Sequence, residues 1–264
     1  MYQFGKEKVV ELEIEHPSII KYKKRLYGGQ SSSTALVKSG FLVISIDAFY
    51  FGERRVIFDE DIEIGKKPIL ELTVDEVNYL NSKARREGET CIAKTLFLAG
   101  ITWPGIILWD DIRTVDYLCS RQDVDSNRIG CWGVSLGGFR TAHLCGLDGR
   151  IKCAVIAAFM GSYKYMLKTN VTRHTWMDYI PGFYKYLDYP DVPAMMCPKP
   201  LMVMYCLKDL GFTVEGMKAA SDKITKVYRM NNAEEKYQGK FYDLPHTFSK
   251  EMQADALAWM KRWL

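Results

Sequence analysis

The stretch RIGCWGVSLGGFR, residues 128–140, joins an apolar run to a serine enclosed by glycines. Ser135 lies in the pattern GxSxG, which is typical of the sharp strand-to-helix turn that holds a nucleophilic serine clear of the backbone. The apolar residues before it predict a strand, and Gly137 and Gly138 after it open a helical pattern. We therefore interpret Ser135 as a nucleophile rather than as a small residue in a glycine-rich bend.

Short apolar runs alternate with helical patterns along the chain, as in proteins whose mostly parallel sheet has helices on both faces. Runs that are continuously apolar predict strands buried on both sides, at 41–49, 128–135, 151–160 and 200–209. A last strand is expected at 239–245, and helices are expected at 108–121, 137–148, 213–230 and 250–264. The pattern predicts a single α/β domain over residues 1–264.

Residues 161–198, here called the cap segment, interrupt this alternation with many aromatic residues and four prolines. A long excursion from a compact sheet is commonly a functional loop or cap, although a surface subdomain that only fills space is the alternative. Loops at the strand ends of α/β folds tend to form the ligand pocket. His174 and Trp176 are therefore candidate substrate-binding residues.

Composition excludes several classes of partner and site. The net charge of +4 comes from 36 basic and 32 acidic residues that are mixed along the chain, which argues against nucleic acid. Seven cysteines without a CxxC pair indicate reduced thiols rather than disulfides or a zinc site. No run reaches the roughly 18 apolar residues of a membrane span. The chain as written is expected to be cytoplasmic and not bound to membranes, unless a signal peptide precedes it, and the sequence does not decide whether it is a homo-oligomer.

A serine hydroxyl needs a base to remove its proton and an acid to orient that base. On such a sheet the order along the chain is serine, acid, histidine. His246, between the last predicted strand and the terminal helix, fits this order, whereas three other histidines do not: His16, His143 and His174.

Asp209 is the favoured acid because it ends the apolar run 200–209 and should emerge at the same sheet edge as Ser135. Asp191 and Asp243 are the competitors, and Asp209 could instead begin the next helix as its N-cap. The backbone N–H of Leu136, directly after the nucleophile, is the expected first donor to an oxyanion.

Segments across the chain resemble the dienelactone-hydrolase and acetyl-xylan-esterase-like branch of the α/β-hydrolases: DAFYFGER (47–54), WPGIILWDDIRTVDYLCSR (103–121), RIGCWGVSLGGFR (128–140), HTWMDYIPG (174–182) and PHTF (245–248). The resemblance implies a serine ester hydrolase with Ser135, Asp209 and His246 as its triad. Dienelactone hydrolases proper carry a cysteine nucleophile, so the serine favours esterase chemistry. A small or sugar-linked ester is the expected substrate, and neither a cofactor nor a metal is expected.

Two charged pairs have open roles. The resemblance places Glu53 and Arg54 near the mouth of the pocket, where they either contact substrate or form an ion pair that holds their loop. Asp110 and Asp111 resemble paired catalytic carboxylates, but at the start of a predicted helix they are expected to complement its dipole.

The second oxyanion donor is not evident. The strand that supplies it should precede residue 31, yet KVVELEIEHP (8–17) alternates apolar residues with glutamates that a covered core would not accept, so an edge strand or a helix is expected there. Gly28 and Gly29 are the available substitute. Relatives usually carry an HGHGG-like turn just ahead of a segment like FGKEKVV, so we expect a start codon placed too late, a natural truncation, or another segment that fills the gap. The alternatives to an esterase are a non-catalytic truncated binding protein and a prolyl-oligopeptidase-type peptidase.

Overall fold

The computed structural model describes residues 2–264. The chain divides into two compact units, of which the first ends at Ile107 and the second comprises Leu108–Leu264. That both belong to one domain stays a prediction. No single helix in the described part of the chain is long and apolar enough to cross a membrane. Two helical segments joined by a sharp bend, Val74–Leu98 and Trp103–Ser120, reach that length and apolar composition only when taken together.

Eleven α-helices and four strands are present in residues 2–264. The helices are α1 Pro17–Leu26, α2 Ser32–Lys38, α3 Ile62–Gly65, α4 Val74–Lys83, α5 Glu89–Leu98, α6 Trp103–Ser120, α7 Leu136–Leu147, α8 Tyr163–Thr169, α9 Asp191–Ala194, α10 Val214–Met230 and α11 Lys250–Trp263. The strands are β1 Gly130–Val134, β2 Cys153–Ala157, β3 Leu201–Cys206 and β4 Tyr237–Tyr242. The expected strands and helices from residue 108 onward are therefore confirmed, within a few residues at their ends.

The second unit is built on a parallel sheet with the strand order β1-β2-β3-β4. Each strand pairs with the next in parallel register, for example Trp132 with Val155 and Val155 with Met202. Every residue of β2 and β3 is buried, which explains why both are continuously apolar in sequence. Because the strands run in one direction, the segments that follow them meet at one edge of the sheet.

Helices cover both faces of this sheet. Ile156 and Val203 pack in a core cluster with residues of α7 and α10, such as Phe139 and Ile224. Neighbouring positions on the strands point to the opposite face, which is covered by α11. The α/β prediction is confirmed in this unit, and the cap segment contains α8, α9 and three short 3₁₀ turns.

The first unit differs from expectation. Residues 41–48, predicted as a core strand, have no regular structure, and Leu42 and Ile44 are 49% and 37% exposed. An apolar run becomes a strand only when its backbone groups pair with a neighbour, and residues 2–107 contain no strand to pair with. The edge strand or helix expected within residues 8–17 is also wrong, because residues 11–16 are irregular and Ile14 is 70% exposed.

Candidate active site

Ser135 lies between β1 and α7 in a strained backbone conformation. Its φ of 58° and ψ of −125° fall in a region that residues other than glycine rarely adopt. Two backbone hydrogen bonds hold it there: its N–H donates to the Ala157 carbonyl at 3.0 Å, and its carbonyl accepts from the Phe139 N–H at 3.0 Å. The serine is therefore fixed at the carboxyl end of β1, on the sharp turn that the GxSxG pattern predicts.

The glycines beside Ser135 make room for this turn. A Cβ atom on Gly133 would lie 2.2 Å from the Gly137 carbonyl oxygen, and a Cβ atom on Gly138 would lie 2.8 Å from the Ala157 carbonyl oxygen. Backbone atoms at these distances cannot be avoided by rotating a side chain. Glycine at both positions is thus a steric requirement of the approach between β1, α7 and the end of β2.

Gly133→Ala is expected to lower the free energy of unfolding by about 2 kcal/mol or more, because the new methyl group overlaps the Gly137 backbone. Gly137→Ala is the matched control: its Cβ meets no atom within 4 Å, and in a helix the change is worth less than about 1 kcal/mol. Urea denaturation followed by circular dichroism measures both variants. Equal destabilisation by the two substitutions would contradict the steric argument.

Asp209 and His246 form a hydrogen-bonded pair at the same edge of the sheet. Asp209 Oδ2 lies 2.6 Å from His246 Nδ1, and Asp209 Oδ1 accepts the Gly211 N–H at 2.8 Å. The Asp209 side chain is 5% exposed, whereas that of His246 is 34% exposed. A carboxylate only accepts, so Nδ1 carries the proton in the neutral ring and Nε2 keeps the lone pair that a general base needs.

The strand order sets the spacing of these residues. Ser135 follows β1 and Asp209 follows β3, with β2 between them. Strands lie about 4.8 Å apart, so the two segments begin about 10 Å from each other. An imidazole bonded to Asp209 can span such a gap, so hydrogen bonds could run from the acid through the base to the serine.

The two competing acids have other contacts. Asp191 accepts the Asp188 N–H at 2.7 Å and pairs with Lys223. Asp243 pairs with Lys208 at 2.7 Å on the surface, where both side chains are more than half exposed. Neither contact involves His246, so the geometry singles out Asp209. The N-cap alternative for Asp209 is wrong, because Thr213 caps α10 through the Gly216 N–H.

The first turn of α7 contains Leu136, whose N–H is the expected donor to an oxyanion. Leu136 is the first residue of α7, and the first N–H groups of a helix have no acceptor within it. Of the two glycines expected as substitutes for the second oxyanion donor, Gly29 is contradicted because its N–H is already bonded. Gly28 and Gly29 have φ of 62° and 80° and end α1, and the Gly29 N–H donates to the Lys23 carbonyl at 3.0 Å. Gly29 therefore terminates a helix.

Glu53 and Arg54 both contact residues of a cluster around Asp47. In the first unit, the Glu53 carboxylate lies 3.2 Å from Lys6 Nζ, and Arg54 donates to the Asp47 carbonyl oxygen at 3.3 Å. Asp47 is the centre of this cluster, because its carboxylate accepts the backbone N–H groups of Glu53 and Lys6. Burial alone would raise the pKa of Asp47, but these hydrogen bonds and the Lys6 ammonium hold it below its ordinary value. These contacts tie the loop at residues 53–54 to Asp47, and both roles expected for Glu53 and Arg54, substrate contact and ion pair, stay predictions.

Asp111 is not at a helix start, because α6 begins at Trp103, five residues before the predicted boundary. Its carboxylate instead forms a two-point ion pair with Arg140 of α7. The expected interaction with the helix dipole is therefore wrong for Asp111. The pair joins α6 to the helix that carries Ser135 at its beginning.

His174 and Trp176 occupy different environments in the cap segment. The His174 side chain is 7% exposed; its Nε2 lies 2.8 Å from the Gly211 carbonyl oxygen. Trp176 is 54% exposed. Sequence reasoning missed Asn170 and Asp178, which contact the same loop and the same histidine. The only sequence signal was the spacing of four between His174 and Asp178.

The chain is similar to known proteins in sequence and in fold. The sequence profile of the prolyl oligopeptidase family matches residues 103–264. A Bacillus subtilis (strain 168) protein named "Putative hydrolase YtaP" is 26% identical over 194 residues, which are 73% of this chain and 64% of that protein. The chain thus spans less than two thirds of the length of this relative.

Two solved structures show the same fold. A Bacteroides fragilis protein described as a "putative acetyl xylan esterase" superposes with a TM-score of 0.61 at 17% identity, over 80% of this chain and 49% of that chain. A glucuronoyl esterase from Solibacter usitatus gives 0.50 at 16% identity, over 60% of this chain and 48% of the other. The predicted α/β-hydrolase fold and its resemblance to esterase structures are confirmed.

Proposed function

Since the chain belongs to the prolyl oligopeptidase family, we propose that it is a serine hydrolase that cleaves a carboxylic ester of a small molecule through an acyl-enzyme. The observation that carries the proposal is the strained Ser135 at the sheet edge that also holds the Asp209–His246 pair. A strained serine beside a helix N-terminus and a buried carboxylate bonded to a half-exposed imidazole together supply a nucleophile, a base and an orienting acid.

The chemistry follows from these groups. Ser135 Oγ attacks the ester carbonyl carbon while His246 Nε2 takes its proton, and the oxyanion accepts a hydrogen bond from the Leu136 N–H. The tetrahedral intermediate expels the alcohol, which receives that proton from His246. Water then attacks the acyl-enzyme by the same route and releases the acid with Ser135 restored. Asp209 keeps its negative charge throughout and stabilises the imidazolium.

The ester is proposed because of this chain's own features and its relatives. Two of the similar structures are described as a "putative acetyl xylan esterase" and a "Glucuronoyl Esterase". The cap segment presents exposed aromatic side chains, such as Trp176 and Tyr186, 54% and 77% exposed, that could pack on a sugar ring. We propose a small or sugar-linked ester, handled without a cofactor. The cytoplasmic location stays a prediction.

A peptidase is the second candidate, favoured by the family name. Purified protein is given p-nitrophenyl acetate and a peptide prolyl p-nitroanilide, and each rate is divided by that of the uncatalysed reaction, so that the greater lability of the ester cancels. We expect the larger acceleration for the ester. A larger acceleration for the prolyl anilide would replace the esterase proposal by the peptidase.

The third candidate is a non-catalytic binding protein. A fluorophosphonate probe, which reacts covalently with an activated serine, distinguishes it from both enzymes. We expect one equivalent of label on Ser135, identified by mass spectrometry of the digested protein. An unlabelled Ser135, together with no turnover of either substrate, would favour the binding protein.

A further inference from the structure

The loop that carries Asp209 is hydrogen-bonded to the cap segment at two consecutive carbonyl groups. Asn170 Nδ2 donates to the Leu210 carbonyl oxygen at 2.8 Å, and His174 Nε2 lies 2.8 Å from the Gly211 carbonyl oxygen. Asn170 is 7% exposed, so both donors are buried. The N–H of Gly211 in turn donates to Asp209 Oδ1. The cap segment is therefore connected to the candidate catalytic acid through a single residue.

His174 has a hydrogen-bond acceptor at each ring nitrogen. Nε2 faces the Gly211 carbonyl oxygen, and Nδ1 lies 3.4 Å from Asp178 Oδ2. A neutral imidazole has one N–H and can serve only one acceptor, whereas the imidazolium has two. The buried Asp178 carboxylate, 3% exposed, supplies the charge that compensates a buried imidazolium.

The pKa of His174 agrees with this geometry. Burial alone would lower it, but Asp178, the Gly211 carbonyl and the charge of Asp209 together hold the pKa of His174 above its ordinary value. Among the described residues, Asp178 and Asp209 are the charged groups that act on the ring, and two aromatic rings also lie beside it. The ring centroids of Phe212 and Phe159 lie 4.8 and 6.2 Å from that of His174.

We propose that His174 is a positioning residue: as an imidazolium paired with Asp178 it acts with Asn170 to clamp the Asp209 loop, and so holds the carboxylate that orients His246. The proposal rests on the proposed function for its effect on turnover, but the clamp itself is a property of the folded chain. Holding a reacting group within about 1 Å of its productive position is worth up to about 100-fold in rate.

The sign of the pH dependence follows from the raised pKa. Stabilisation of the loop is fully present below the ordinary histidine pKa of about 6.5 and is lost as the pH rises through the raised pKa of His174. We expect the rate of amide hydrogen exchange in residues 209–213 to increase as the pH rises through this range. The rate is divided by that of β2, because base catalysis accelerates exchange at every amide.

The test compares His174→Gln and Asn170→Ala with His143→Gln in the full chain. His143 is also a buried histidine, but its Nδ1 bonds the Phe139 carbonyl oxygen within α7 and does not reach the Asp209 loop. We expect both clamp variants to raise exchange in residues 209–213 about 10-fold or more relative to β2, and to lower kcat by about 10- to 100-fold with little change in KM. The His143→Gln control should leave the exchange ratio unchanged.

Histidine ¹⁵N spectra of the unaltered protein give a measurement that needs no variant to fold. We expect both ring nitrogens of His174 to be protonated at pH 6.5. A neutral His174 ring would overturn the proposal. So would exchange ratios in His174→Gln and Asn170→Ala that equal the ratio in His143→Gln. If the clamp readouts are as expected but no substrate is turned over, the proposed function fails and the clamp stands.

Discussion

Replacing Ser135 by alanine is expected to lower kcat for ester hydrolysis by about 10⁵-fold or more, because a triad acts as a unit and loses its covalent route when the nucleophile is removed. The remaining rate is that of water attack on an ester bound beside the Leu136 N–H. KM should change little, since the hydroxyl adds little to ground-state binding. Hydrolysis of p-nitrophenyl acetate, with the protein concentration fixed by absorbance, measures both constants.

Ser120→Ala is the matched control for this experiment. Ser120 is the last residue of α6, and its hydroxyl donates to the Tyr117 carbonyl oxygen on the surface. Its removal should leave both kcat and KM unchanged. Equal rates for the unaltered protein and for Ser135→Ala would show that another group hydrolyses the ester, and the assignment of Ser135 would have to be withdrawn.

The second unit could be predicted from sequence because its signals are local. β2 and β3 are buried on both faces and read as unbroken apolar runs, and α7 and α10 carry apolar residues at helical spacing. The strand order, in turn, brings together residues at strand ends whose chemistry is recognisable. The structure places Ser135, Asp209 and His246 at one sheet edge, and their catalytic roles stay a proposal.

The first unit was predicted less well for a physical reason. The run 41–49 has the composition of a buried strand, but strand formation depends on a partner at long range, and none is present in residues 2–107. The same limit applies to the clamp. Hydrogen bonds from Asn170 and His174 to Leu210 and Gly211 join segments about 40 residues apart, and no local periodicity encodes such contacts.

Replacing Asp209 by asparagine is expected to lower kcat by about 10⁴-fold, through the tautomer of His246 rather than through loss of folding. The Gly211 N–H donates to Oδ1, so an asparagine must place its carbonyl oxygen there. Its amide N–H₂ then faces His246 Nδ1. Nδ1 must accept that hydrogen bond, the ring proton moves to Nε2, and Nε2 can no longer take the proton of Ser135.

The control is Asp243→Asn, an isosteric change at the competing acid. The Asp243 side chain is 74% exposed and forms an ion pair with Lys208. Because surface ion pairs contribute at most about 1 kcal/mol, the activity and stability of Asp243→Asn should be close to those of the unaltered protein. Steady-state kinetics and thermal unfolding are measured on both variants. A large loss of kcat in Asp243→Asn together with a small loss in Asp209→Asn would identify Asp243, and not Asp209, as the acid that orients His246. If Asp209→Asn is inactive but folded, the hydrogen bond from the Gly211 N–H is the contact that selects the tautomer of His246. Because the Gly211 carbonyl is bonded to His174 of the cap segment, that segment then influences which nitrogen of His246 carries the proton.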